Sequence, residues 1–166
     1  MPSPFYYEVE VNMGRSKYNV DSNTSTRTCD GIVFDSVLEM RYYKEIVCPK
    51  MESGELVAYE LQKKYNLQPG FTRNDGKKVQ PIDYVADFYL EFSDGHTEVI
   101  DTKGYPDSVC KMKRKLFWYC YPDLEYHWLT YVKKRGGWIE YETLQAELRK
   151  EKREKKKEDT INGKEE

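Results

Sequence analysis

The stretch Tyr84-Val85-Ala86-Asp87-Phe88-Tyr89-Leu90-Glu91-Phe92-Ser93-Asp94-Gly95-His96-Thr97-Glu98-Val99-Ile100-Asp101-Thr102-Lys103-Gly104 decides the fold. Two runs of β-forming residues flank Ser93-Asp94-Gly95, which predicts a β-hairpin. A three-residue loop, built as a type I turn completed by a left-handed residue, puts glycine where it is favoured. Phe92 then faces His96, Phe88 faces Ile100, and Asp87 falls opposite Asp101. A two-residue Asp-Gly loop would shift the register by one and set Asp101 and Lys103 among Ala86, Phe88 and Leu90. That apolar face is a poor home for charges, so the burial pattern selects the longer loop. On the second strand Asp101 and Lys103, two residues apart, share a face while Thr102 points away.

Outward from the hairpin, Gly104, Pro106 and Asp107 break the strand and open a helix. Val109, Met112, Leu116 and Tyr119 form its apolar stripe, and Lys111, Arg114 and Lys115 its basic face. Tyr121-Pro122-Asp123 ends it, and Leu124 to Val132 reads as a last strand reached by a helical crossover. Upstream, Leu56 to Leu67 reads as a first strand, followed by Gln68-Pro69-Gly70 and a loop from Arg73 to Lys78. Before it, Asp35 or Ser36 caps a helix that buries Leu38, Tyr42, Ile46 and Val47 and is ended by Pro49 and Ser53-Gly54. A third helix is expected from Trp138, grading into a solvated helix or frayed tail of alternating charge from Arg149 to Glu158. Helix, three-stranded meander, helix, strand predicts an α/β fold with a mixed sheet flanked by helices. Residues 1–28 read as a polar N-terminal arm, 29–134 as the core and 135–166 as a charged helix and tail.

At 166 residues the chain is one domain, long enough to bury a real core. A formal net charge of −2 argues against nucleic-acid binding by bulk charge but allows a local basic surface. The four cysteines form no CxxC pair, and only His96 and His127 are present. A structural zinc site or a histidine-based nuclease centre is therefore a poor candidate. Reduced thiols in a cytoplasmic protein are the simplest account. There is no apolar run of transmembrane length and no signal-peptide pattern, so no membrane partner is expected. Half-buried strands account for most of the 15 tyrosines.

Two carboxylates directly opposite each other repel. A hard divalent cation, Mg²⁺ or Mn²⁺, removes that cost. Two carboxylates, a backbone carbonyl (Thr102 stands between the candidates) and a DNA phosphate suffice for an ion that keeps several waters. Lys103 beside them would position the attacking water or stabilise charge on the scissile phosphate. That is the chemistry of phosphodiester hydrolysis. The plain alternative, an Asp101–Lys103 surface pair with Asp87 as a strand-edge charge, leaves the opposed carboxylates unexplained. Asp83 pairs beyond Lys103 and falls outside the site, and His96 is a turn neighbour. Lys111, Arg114 and Lys115 are candidate DNA-phosphate contacts, with a solvated helix face as the plain alternative.

Asp87 followed by Asp101-Thr102-Lys103 after a hairpin resembles the motif of the PD-(D/E)xK nuclease superfamily, whose restriction-endonuclease-like core has the same element order. More narrowly, Phe34-Asp35-Ser36-x-x-Glu39, Leu61-Gln62, Tyr84-Val85-Ala86-Asp87-Phe88, Asp101-x-Lys103-Gly104 and Tyr121-Pro122-Asp123-Leu124 resemble a phage and prophage family of small endonucleases, over residues 17 to 130. The proline that usually precedes the first acidic residue is replaced by Ala86. The resemblance implies a catalytic set of Asp87, Asp101, Lys103 and Glu39, with the metal at Asp87, Asp101, Thr102 and Glu39 and with Gln62 beside the site. Ser36-x-x-Glu39 is also a capping box, so two roles compete for the Glu39 side chain. It further implies an endonuclease acting on branched DNA or Holliday junctions in phage recombination or packaging, as a homodimer, in the cytoplasm of a bacterial host. A DNA-binding module without the chemistry, or a phage adaptor protein, is the alternative.

Overall fold

The computed structural model describes residues 23–162. Most of the expected N-terminal arm lies outside them; its last residues form a 3-10 turn, Thr24–Arg27, capped by the Asn23 side chain. There follow β1 (Thr28–Cys29), β2 (Ile32–Val33), α1 (residues 37–52), β3 (Leu56–Gln68), β4 (Phe71–Thr72), β5 (Lys78–Val79), β6 (Ile82–Phe92), β7 (Thr97–Thr102), α2 (Ser108–Cys120), β8 (Glu125–Val132), β9 (Gly137–Glu140) and α3 (Tyr141–Asn162). The main sheet has the order β3-β6-β7-β8-β9. Neighbours are antiparallel except β7 and β8, which α2 connects as a parallel pair. The fold is therefore α/β with a mixed five-stranded sheet.

The hairpin has the expected register, from Phe88↔Ile100 to Glu91↔Thr97. The Phe92 amide donates to the His96 carbonyl and the Gly95 amide to the Phe92 carbonyl, both at 3.0 Å. Gly95 takes φ +91°, the left-handed position that closes the three-residue loop. The expected loop at 73–78 is the tip of a small separate ribbon formed by β4 and β5.

Helix α1 starts at Ser36, whose hydroxyl accepts from the Glu39 amide at 3.1 Å. Its middle turn, Tyr43–Val47, is π-helical, and Pro49 opens the α-helical turn that follows, Cys48–Glu52. Pro49 has no amide N–H to give the helical ladder, and the wider π turn just before it accommodates that gap. The helix thus passes Pro49 and ends at Ser53-Gly54, with Gly54 at φ +75°. The wide turn shifts the phase of the helix. The buried positions become Glu39, Tyr42, Tyr43 and Val47, while Leu38 and Ile46 stay half-buried.

Each face of the sheet carries a core. Under α1, Phe34, Tyr42, Tyr43 and Val47 pack on Leu56, Phe88, Leu90, Phe92 and Ile100. Under α2, Phe117 packs on Tyr65, Tyr84, Ala86, Val99, Tyr126 and Trp128. The stripe expected on α2 is rotated. Val109, Met112 and Tyr119 are exposed, and Arg114 and Phe117 are buried. The expected helix from Trp138 also begins later, because Gly136 and Gly137, both at positive φ, turn the chain back to pair β9 with β8. Trp138 then packs edge-on against Tyr42 and Tyr131 and donates to Glu45.

Candidate active site

The sheet distorts where β3 meets β6. The pairs Leu61↔Phe88 and Lys63↔Ala86 flank Gln62 and Asp87, which do not themselves form a ladder pair. Gln62 has φ +53°, one of two non-glycine residues in the left-handed region among the described residues. Before this point β6 turns Tyr84 and Ala86 towards α2; after it, Phe88 and Leu90 face α1. The slip in phase swings the Asp87 side chain to the α1 face.

On β7, Val99 belongs to the α2 core and Ile100 to the α1 core, so alternation carries Asp101 to the α2 face and Thr102 to the α1 face. Asp87 accepts from the Thr102 amide at 2.7 Å and from its hydroxyl at 2.9 Å. Asp101 is fully buried; its carboxylate is ion-paired with Lys103 and has the Tyr126 hydroxyl 3.4 Å from its other oxygen. This corrects the expectation of two carboxylates side by side. The β6–β7 ladder stops one residue short of Asp87, and the two acids turn to opposite faces with Lys103 near both. It also corrects Thr102, whose side chain points not away from Asp87 but onto it.

What the α1 face assembles is a different acid pair. Glu39, 6% exposed, has one carboxylate oxygen 2.7 Å from the Ser36 hydroxyl and the other 3.2 Å from the Gln62 amide nitrogen. The capping box is therefore half made: Ser36 caps the helix, but the Glu39 carboxylate accepts from the Ser36 hydroxyl. Glu39, Gln62, Asp87, Thr102 and Lys103 line one cavity of about 540 Å³ that opens past Tyr105. Asp101 does not line it.

The electrostatics are those of crowded acids. Burial, and then the charge of Asp87, push the Glu39 carboxyl up to about 9, against the opposing hydrogen bond from Ser36. Burial also raises Asp87, against the attraction of Lys103 and the two bonds from Thr102. Asp101 is raised by burial too, against Lys103 and Tyr126. For Lys103 burial alone would favour the neutral amine, but the charges of Asp101 and Asp87 outweigh it and hold the ammonium above its ordinary range. Asp87 and Asp101 thus share the Lys103 ammonium, while the buried Glu39 carboxyl is raised further by its acidic neighbours. Among the described residues no three acidic, histidine or cysteine side chains converge tightly enough to enclose a metal ion.

Of the expected DNA contacts, Lys111 and Lys115 are exposed on α2. Arg114 is not available to a ligand. It is buried, bidentate to Glu142 of α3 at 2.6 and 2.9 Å, and lies 4.4 Å from the ring centres of both Trp118 and Trp128. A guanidinium suits such a sandwich, and the position is structural. Asp83 pairs with Lys64 and Asn66, outside the cavity, and His96 stacks on Phe92 beside the turn. Sequence reasoning missed Asp35, Tyr105 and Cys110 in the cavity lining, and the Tyr126 hydroxyl behind Asp101. Their nearness to Glu39 and Lys103 in sequence was the available signal for the first two.

Residues 15–137 match the model of a family described as "Protein of unknown function (DUF1064)". The chain belongs to that family. The matched stretch contains every residue of the cavity and stops before α3. No curated protein and no solved structure matches the chain.

Proposed function

We propose that the chain is a divalent-metal-dependent DNA endonuclease whose site is the cavity of Glu39, Asp87 and Lys103, with Asp101 behind it. The observation that carries this reading is the crowding of acidic side chains, each pushed towards its protonated form by burial. Glu39 and Asp87 face one cavity, Asp101 is buried beside it, and the Lys103 ammonium serves Asp101 and Asp87. A protein gains nothing from burying uncompensated carboxyls unless a cation joins them. The donor set is hard oxygen, which fits Mg²⁺ or Mn²⁺. Such an ion takes one or two carboxylates and keeps waters and a substrate phosphate for the rest of its shell.

Glu39 and Asp87 would hold the ion; bound there, it would supply Lewis-acid activation of a phosphodiester. The chain's own parts have separate tasks. Thr102 fixes one oxygen of Asp87, and Ser36 and Gln62 fix the two oxygens of Glu39, so neither acid has to be ordered when substrate arrives. Lys103, held by Asp101, keeps a permanent positive charge at the cavity for the negative charge that builds on the cleaved phosphate. Lys111 and Lys115, exposed on the helix that follows, are phosphate contacts at the approach.

The resemblance to small phage endonucleases points to branched DNA or Holliday junctions, which need two coordinated cuts and hence two copies of the chain. Among the described residues no helix is long and apolar enough to cross a membrane, and none of the four cysteines is in a disulfide. One observation favours a second reading, a DNA-binding or adaptor protein without the chemistry: Asp101 is turned from the cavity to Lys103. Incubation with supercoiled plasmid, linear duplex and a four-way junction, with Mg²⁺, with Mn²⁺ and with neither, separates the two. The nuclease reading expects cutting only with metal, and most on the junction. Binding without cutting in any metal overturns it.

A further inference from the structure

One side chain at the cavity mouth serves neither the fold nor the acid cluster. Tyr105 is 90% exposed, more than any other large apolar side chain of the described residues, yet it lines the cavity that holds Glu39, Asp87 and Lys103. It follows Lys103 by two positions and precedes Pro106, which is buried and anchors the backbone beneath it. Val85, 44% exposed, lines the same cavity from β6.

A phosphate chain offers a phenol ring nothing to stack on, whereas a nucleobase does. Two residues of chain reach at most about 7 Å, on the order of two base steps of 3.4 Å. A ring at Tyr105 is therefore within reach of a base next to a phosphate held at Lys103. The acid cluster also repels DNA, so a contact that does not depend on charge is what this mouth needs. In continuous duplex each base is covered above and below by its neighbours, and freeing one costs a few kcal/mol. In single-stranded, flapped or branched DNA a base face is open.

We propose that Tyr105 is a base-stacking residue beside the cleavage site, and that the substrate presents an unstacked base there. This rests on the nuclease reading above. The test measures binding of a short single strand carrying 2-aminopurine, and of a blunt duplex of the same sequence, in Ca²⁺; cleavage of both is measured in Mg²⁺. Expected is tighter binding of the single strand by the wild type, with quenching of the 2-aminopurine. Tyr105→Ala should weaken single-strand binding by roughly 5- to 100-fold, the range of one base–aromatic stack, at all salt concentrations, and lose the quench. Tyr105→Trp should retain both, and duplex binding should not change. Circular dichroism checks that the variants fold, as the exposure of Tyr105 leads one to expect. Unchanged affinity and quench in Tyr105→Ala, or equal loss on duplex and single strand, overturns the stacking role. If the wild type still cuts DNA with Mg²⁺, the nuclease reading survives that result. A wild type that neither binds nor cuts any DNA overturns both.

Discussion

Glu39 shows how one side chain can look like a cap and be held as something else. Ser36 caps the helix, and the Glu39 carboxyl is left in the cavity between the Ser36 hydroxyl and the Gln62 amide. A carboxyl held near 9, well above its ordinary 4.5, stabilises the fold most below about pH 4.5, and this contribution is lost as pH rises towards about 9. Thermal unfolding in EDTA should therefore show stability falling across that window, and Glu39→Gln, which keeps one acceptor oxygen and cannot ionise, should flatten the fall. An unchanged slope in the variant would mean that Glu39 does not hold this proton. Gln62 gives a second prediction. Its left-handed backbone costs on the order of 1–3 kcal/mol, which glycine does not incur. Gln62→Gly should leave stability unchanged within about 1 kcal/mol, since relief of strain offsets the flexibility of glycine when unfolded. Metal affinity by calorimetry should nevertheless fall, because Glu39 loses its amide partner. The convergence of Glu39, Asp87 and Lys103 on one cavity was legible in the sequence through the motifs it resembles. Which way Asp87 and Asp101 face was not, because a strand pattern assumes an unbroken period of two and the slip at Gln62 and Asp87 breaks it.

On α2 the apolar letters misled. Val109, Met112 and Tyr119 keep helical spacing but stay exposed, because the space beneath the helix is filled by Phe117 and by Arg114 between two tryptophans. No periodicity of apolar residues can announce a buried guanidinium, and its partner Glu142 lies on an element whose start the glycine pair at 136–137 conceals. The contrast with its neighbours is testable. Arg114→Ala should lower stability by about 1–3 kcal/mol, through the packing lost between Trp118 and Trp128 more than through the ion pair, since Glu142 is exposed, with DNA affinity per folded molecule unchanged. Lys111→Ala and Lys115→Ala should do the reverse, leaving stability within about 0.5 kcal/mol and each reducing the salt dependence of DNA binding by about one phosphate contact. Denaturant melts and affinities over a salt series measure both. A DNA-binding loss confined to Arg114→Ala would put that residue back on the surface.

Over the whole molecule, the element order, the mixed sheet and the hairpin register could be read from turn chemistry and alternation, because Ser93-Asp94-Gly95 leaves little freedom in how the strands meet. The edge strand β9 and the π-turn in α1 could not, since both depend on contacts made only after folding. The cavity is a product of the whole arrangement: α1 brings Glu39, the distorted β3–β6 pair brings Gln62 and Asp87, and the end of β7 brings Thr102 and Lys103. The central claim is that these residues together make a metal-dependent nuclease. Its most direct measurement is cleavage of a four-way junction as a function of Mg²⁺ concentration by the wild type and by Asp87→Asn, with both proteins shown to be folded. The account predicts metal-dependent cutting by the wild type and none by Asp87→Asn at any Mg²⁺ concentration. Cutting by Asp87→Asn at the wild-type rate and metal requirement, or cutting by the wild type in EDTA, would contradict it.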